Sequence, residues 1–204
     1  RPLIHAVGYM NRYRKSVALL KEHLAQTPML GLSAHWVNAA YGVPWWSQKA
    51  CSGGPLNEQA AHFVDLAQIV GGPIREVQVL SQLAGDSGAI GAASIQFRFM
   101  GNKTGQMFYS CMAQEKQIGF RVFTQTGELN LSGWDLQPQF APCEPDPHRY
   151  AIFETETAIF LGAVLKQDGS AIRCRFEDAY STQRVLEAIG RASQSGCLER
   201  VDQT

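Results

Sequence analysis

The stretch WWSQKACSGGPLNEQAAHFVDLAQIVGG, residues Trp45–Gly72, decides how the rest of the chain is organised. Gly53 and Gly54 supply a bend. Pro55 follows, where the first turn of a helix tolerates proline. A helical pattern then runs to about Val70, and Gly71 and Gly72 stop it. Residues at i, i+4 and i+7 share one face of a helix, and Glu58, His62 and Asp65 have that spacing. Ala60, Phe63, Val64, Ala67 and Val70 fall on the other side. One helix is therefore expected to bury an apolar stripe while presenting a carboxylate and an imidazole side by side.

Upstream, Leu3 to Met10 reads as a buried strand, with the polar residues Asn11, Arg12 and Tyr13 at its C-terminal end. Tyr13 to Ala25 carries Val17, Leu20 and Leu24 on one side and Lys15, Lys21 and Glu22 on the other, an amphipathic helix. Met29 to Tyr41 is a second strand, broken by Gly42-Val43-Pro44. Downstream of Gly72 the period changes from helical to alternating. Strands are expected over 74–83, 89–100, 106–113, 117–124 and 128–135, four or five of them antiparallel in a row. Pro138 to His148 is a proline-rich loop, 153–166 and 178–193 read as helices, and 194–204 is expected to fray. This order predicts an α+β fold, residues 1–204 forming one domain: a large open, predominantly antiparallel sheet with helices packed on one face.

Composition excludes several classes. Formal net charge is zero, so no general attraction to nucleic acid or anionic membrane is expected. No basic run is interleaved with aromatics, and the longest apolar run, Ala158 to Leu165, is too short to span a bilayer. The five cysteines (Cys51, Cys111, Cys143, Cys174, Cys197) form no Cys-x-x-Cys pair, so neither a zinc site nor a disulfide framework is indicated. Reduced thiols in a cytoplasmic protein are the simplest reading.

Three motifs, VGYMNRY (7–13), the 45–72 stretch and FRVFTQTGELNLSGWDL (120–136), resemble the C-terminal domain of the glucose–fructose oxidoreductase / inositol dehydrogenase family (Gfo/Idh/MocA), above all its fungal members. The closing ETAIFLGAVL and DAYSTQRVLEA fit the end of such proteins. In that family a Rossmann domain binds NAD(P), while the C-terminal domain binds substrate and often mediates oligomer contacts. The resemblance carries an acid and a histidine four apart onto Glu58 and His62, the family's commoner acid being aspartate. It carries polar residues near the substrate or nicotinamide onto Asn11 and Arg12. The dinucleotide fingerprint Gly-x-Gly-x-x-Gly is absent: Gly85, Gly88 and Gly91 have the wrong spacing and lie between two strands. The Glu-Lys-Pro motif is absent as well.

Glu58 and His62 are the candidate catalytic pair, because an i, i+4 spacing brings their heads within reach and a carboxylate raises the basicity of a nearby imidazole. Tyr9, Asn11, Arg12, His35, Tyr41, Trp45 and Trp46 are the candidate substrate-binding residues, with one of the two tryptophans expected to line a pocket. Asp65 is expected to be structural. The chain as it stands predicts a cofactor-independent isomerase, lyase or cyclase of secondary metabolism, acting on an apolar small molecule. No metal is expected, and NAD or NADP only with an upstream Rossmann domain. The alternatives are the substrate-binding half of an NAD(P)-dependent oxidoreductase and a non-catalytic oligomerisation or binding module. A homo-oligomer through the sheet face is expected.

Overall fold

The computed structural model describes residues 3–85 and 88–202. One sheet of eight strands dominates it: β1 (Met29–Ala39), β2 (Ile74–Ala84), β3 (Ile90–Phe99), β4 (Thr104–Ser110), β5 (Met112–Thr124), β6 (Gly127–Ser132), β7 (Gln137–Pro138) and β8 (Glu199–Arg200). Their spatial order is β7-β6-β5-β1-β4-β3-β2-β8. All neighbours are antiparallel except β1 and β4, which run parallel with Trp36 opposite Tyr109. The expected unbroken meander is therefore interrupted. The chain bends at Cys111 past the end of β1, leaving β4 and β5 on either side of that strand.

Five helices accompany the sheet: α1 (Lys15–Gln26), α2 (Lys49–Ser52), α3 (Pro55–Gly71), α4 (Ala151–Lys166) and α5 (Phe176–Ser195). Alternation along β1 sends Leu32, Ala34 and Trp36 into the core and leaves His35 exposed. The same parity on β5 buries Ile118, Phe120 and Val122. The covered face packs against α3, whose Phe63 meets Trp36 and Phe120 edge-on at 5.3 and 5.6 Å between centroids. Helix α5 packs on α3 and β2, burying Val185, Leu186, Ala188 and Ile189.

The bend before α3 forms as expected. Gly53 ends α2 with φ +80°, Gly54 follows at +95°, and Pro55 opens α3. Two expectations fail. The segment 3–9 is irregular, not a strand, and leads into a 3-10 helix at Met10–Tyr13. Its apolar character suits a strand, yet it joins no ladder; Val7 N–H donates to Cys174 C=O at 3.1 Å. The tail also does more than fray, since Glu199 and Arg200 pair with Val77 and Glu76 at the sheet edge.

Candidate functional site

Helix α3 carries both members of the candidate pair, but they are not joined. No hydrogen bond or ion pair links Glu58 to His62, and among the described residues the Glu58 carboxyl has no such partner at all. Burial raises the Glu58 carboxyl above its ordinary pKa. His62 keeps an edge at the surface, while its Nδ1 is fully enclosed without a hydrogen-bond partner. Burial, and then the positive charge of Arg14, lower its pKa to about 4. This corrects the expectation that Glu58 raises the basicity of His62: desolvation wins, and the imidazole is neutral at pH 7.

Aromatic rings enclose it. Tyr9 meets His62 edge-on at 5.8 Å, and Trp36 stacks on it at 6.2 Å with 19° between the planes. Burial first, with Asp65 next, pushes the Tyr9 hydroxyl up to about 12. Trp134 then meets Trp36 edge-on at 6.2 Å. The indole nitrogens of Trp36 and Trp134 are both buried and unpartnered. Lys116 Nζ lies 4.6 Å from the Trp134 ring centroid and 5.8 Å from that of Trp36, and Arg149 lies 5.2 Å from the Trp134 ring.

The other expected residues scatter. Arg12 is not free for substrate. Its Nη2 reaches Asp65 Oδ1 at 2.7 Å, its Nε reaches Asp65 Oδ2 at 3.0 Å, and its Nη1 donates to Arg173 C=O at 2.8 Å. Burial works against the guanidinium, but these contacts with Asp65 outweigh it and raise its pKa. Asp65 is fully buried and also accepts from Thr182 Oγ1 at 3.2 Å, which makes it structural as expected. Asn11 is buried and its Oδ1 accepts from Arg14 Nε at 2.9 Å, so it positions Arg14. His35 lies on the opposite face of the sheet from His62 and cannot join its site. Trp45 is exposed. Trp46 is buried, meets Tyr41 edge-on at 5.1 Å, and with it lines a separate cleft of about 630 Å³ bounded by Cys111 and Met112. Neither this cleft nor a second of about 740 Å³ between the start of α3 and α5 includes His62 or Glu58.

Trp36, Trp134, Lys116 and Arg149 were not among the expected site residues. A signal existed for Lys116. It shares the inward parity of Ile118, Phe120 and Val122, and a charge in that register is unusual unless it serves a site.

The sequence profile of the GFO/IDH/MocA C-terminal domain matches residues 26–130, just over half of the chain, and the chain belongs to this family. An uncharacterized protein of Schizosaccharomyces pombe is 37% identical over 76 residues, a match covering 35% of this chain and 20% of that one. Among solved structures, a levoglucosan dehydrogenase in complex with NADH and levoglucosan aligns with a TM-score of 0.81 at 17% identity, over 99% of this chain and 67% of the other. The myo-inositol dehydrogenase of Lactobacillus casei, in complex with NAD(H) and myo-inositol, aligns at 0.74 and 18% identity, over 97% and 62%. The WlbA dehydrogenase of Bordetella pertussis, in complex with NADH and UDP-GlcNAcA, aligns at 0.71 and 19% identity, over 96% and 64%. The chain thus spans about two thirds of the length of these dehydrogenases and a fifth of the yeast protein. At these identities the structural likeness establishes the fold, an open α+β sheet with helices on one face. Among the described residues no helix is long and apolar enough to cross a membrane, and no group of three His, Cys, Asp or Glu could hold a metal ion.

Proposed function

We propose that this chain is the substrate-holding part of an NAD(P)-dependent oxidoreductase acting at a hydroxyl or carbonyl of a small molecule, with His62 as proton acceptor. The observation that carries it is the neutral, unpartnered imidazole among Tyr9, Trp36 and Glu58 on α3. A neutral imidazole can take a hydroxyl proton, and a positioned base contributes on the order of 10² to 10⁴ in rate once its pKa lies near the working pH, which requires bound substrate to raise His62 from about 4. The raised Glu58 carboxyl is suited to hydrogen-bond a substrate hydroxyl near the same helix face.

The described residues do not fit the nicotinamide cofactor. Gly85 lies just beyond β2, Gly88 in the turn and Gly91 in β3, where they make a hairpin and no helix start to cradle a pyrophosphate. The nucleotide would therefore be held by another segment, and no step through it is assigned to these residues. An uncovered apolar surface supports such a neighbour. Leu161 and Leu165 on α4 are 54% and 84% exposed, and Tyr150 and Phe176 are 64% and 63% exposed. The opposite face of the sheet, with Phe108 and Phe123 exposed among glutamines and serines, is proposed as the contact between copies of this chain.

A second reading is a cofactor-independent isomerase, lyase or cyclase in the cytoplasm. It is favoured by a neutral imidazole and a raised carboxyl on one helix, in residues that offer no dinucleotide cradle. Calorimetric titration of the full-length protein, with every segment that flanks these residues, against NAD(H) and NADP(H) separates the two. Binding of either, with turnover reduced at least about a hundredfold in His62→Ala, is the expected result. No nucleotide binding would overturn the oxidoreductase reading. Unchanged turnover in the variant would remove His62 from both. Fold alone decides neither.

A further inference from the structure

The two cations beside the His62 stack have no counter-charge. Lys116 and Arg149 form no hydrogen bond or ion pair among the described residues, although both lie over the Trp134 ring. The nearby acids are committed elsewhere: Asp135 and Asp146 face Arg14 at 3.8 and 3.7 Å, and Glu154 faces His148 at 3.4 Å. With Arg14 also over this ring at 5.9 Å, three like charges gather there and repel, and the indole face offsets only part of that repulsion. In keeping with this, burial and then Arg149 both lower the Lys116 pKa.

Beneath the cations are two buried groups that can only donate. Trp36 Nε1 and Trp134 Nε1 lack acceptors. A buried donor left unmade costs roughly 1–3 kcal/mol, and two in contacting rings beside an orphaned His62 Nδ1 gather three unpartnered buried polar atoms in one place. Lys116 lies over both indole rings, so a ligand that pairs with its ammonium comes beside them. Every unmet need here is for negative charge or a hydrogen-bond acceptor, save at His62, whose ring can serve either way.

From this juxtaposition we propose that the substrate of this site is anionic. Its carboxylate or phosphate sits between Lys116 and Arg149 above Trp36 and Trp134, leaving its reacting hydroxyl toward His62. This replaces the expectation of an apolar substrate. It rests on the functional reading only for the role of His62.

The test is a binding measurement that needs no nucleotide. The indole Nε1–H resonances of the protein are followed at constant ionic strength during titration with D-glucuronate, inorganic phosphate and, as the uncharged control, D-glucose. The chain has four tryptophans, and Trp45 and Trp46 serve as internal references. The proposal predicts that an anionic probe moves the Trp36 and Trp134 signals, and that Lys116→Gln and Arg149→Gln each weaken this binding on the order of tenfold. Both side chains are exposed, so the variants fold. The tighter of the two anions identifies the carboxylate or phosphate class. Equal response to glucose, no response to either anion, or anion binding indifferent to both substitutions would overturn the proposal. Failure of the full-length protein to bind NAD(H) or NADP(H) would overturn the oxidoreductase reading and leave this one standing.

Discussion

Two clusters of positive charge flank α3, and they are built on opposite plans. Around Arg12 every nitrogen has a partner: Asp65 takes Nε and Nη2, Arg173 C=O takes Nη1, and Asp178 adds a contact at 3.3 Å. That cluster ties the 3-10 helix, α3 and the approach to α5 into one body. Around Lys116 and Arg149 there is no partner, and the indoles beneath them are equally unmet. A buried pair must be complete, because the cost of desolvating each charge is recovered only by the other. A site meant for a ligand must be incomplete until the ligand arrives. The contrast separates structure from function more clearly than residue type does, since both clusters combine cations with aromatic neighbours.

The largest effect should come from breaking the complete cluster. Asp65→Ala leaves the Arg12 guanidinium without its counter-charge, and chemical denaturation should show a loss of about 3–5 kcal/mol. A loss below about 1 kcal/mol would mean that water replaces the carboxylate and the cluster is not what holds these elements together.

Next comes acid sensitivity from His62. Its pKa in the folded protein, about 4, lies below the ordinary 6.5. The unfolded chain therefore takes up this proton first as pH falls. The contribution is fully present above about pH 6.5 and is lost progressively down to about pH 4, on the order of 3 kcal/mol in all. In urea melts, wild type and His62→Gln should run parallel above about pH 6.5, and wild type should lose stability relative to the variant as pH falls through this range.

A smaller effect tests the rim of the complete cluster. Thr182→Val removes one hydrogen bond to Asp65 and should cost about 1 kcal/mol. The smallest belongs to the incomplete cluster. Lys116→Gln and Arg149→Gln should each change stability by less than about 0.5 kcal/mol, because neither charge has a partner to lose. Thermal melts showing a large loss in either would place that residue with Arg12, among the structural charges.

Much of the fold is legible in the chain. The 45–72 stretch predicts α3 to within a residue, since glycine, proline and a 3.6-residue apolar period act locally there. Alternation gives the strands of residues 74–135 in number, but the break expected at 114–116 lies inside β5, the chain turns at Cys111 instead, and β6 ends at Ser132. What the sequence does not show is pairing. Nothing local tells β1 to slip between β4 and β5, or the 199–200 segment to join the edge beside β2. The segment 3–9 has the composition of a strand, but a strand also needs a neighbour, and none of the described strands accepts it.

The site was legible only in part. His62 and Tyr9 lie together, as a helix face and the preceding motif imply, whereas His35 fails on parity alone. Arg12 and Asn11 carry the right chemistry, but tertiary partners absorb it. The environment of His62 depends on Trp36, Trp134, Lys116 and Arg149, which come from four separate places in the chain. Periodicity within one segment cannot assemble them.

His62 is neutral, its Nδ1 is enclosed without a partner, and both proposals need it free for a ligand. Its imidazole Cε1 signal, followed by NMR against pH with and without D-glucuronate, tests this most directly. The midpoint should lie near pH 4 in the free protein and move upward when the anion binds beside it. A midpoint at the ordinary 6.5, indifferent to the anion, would contradict this.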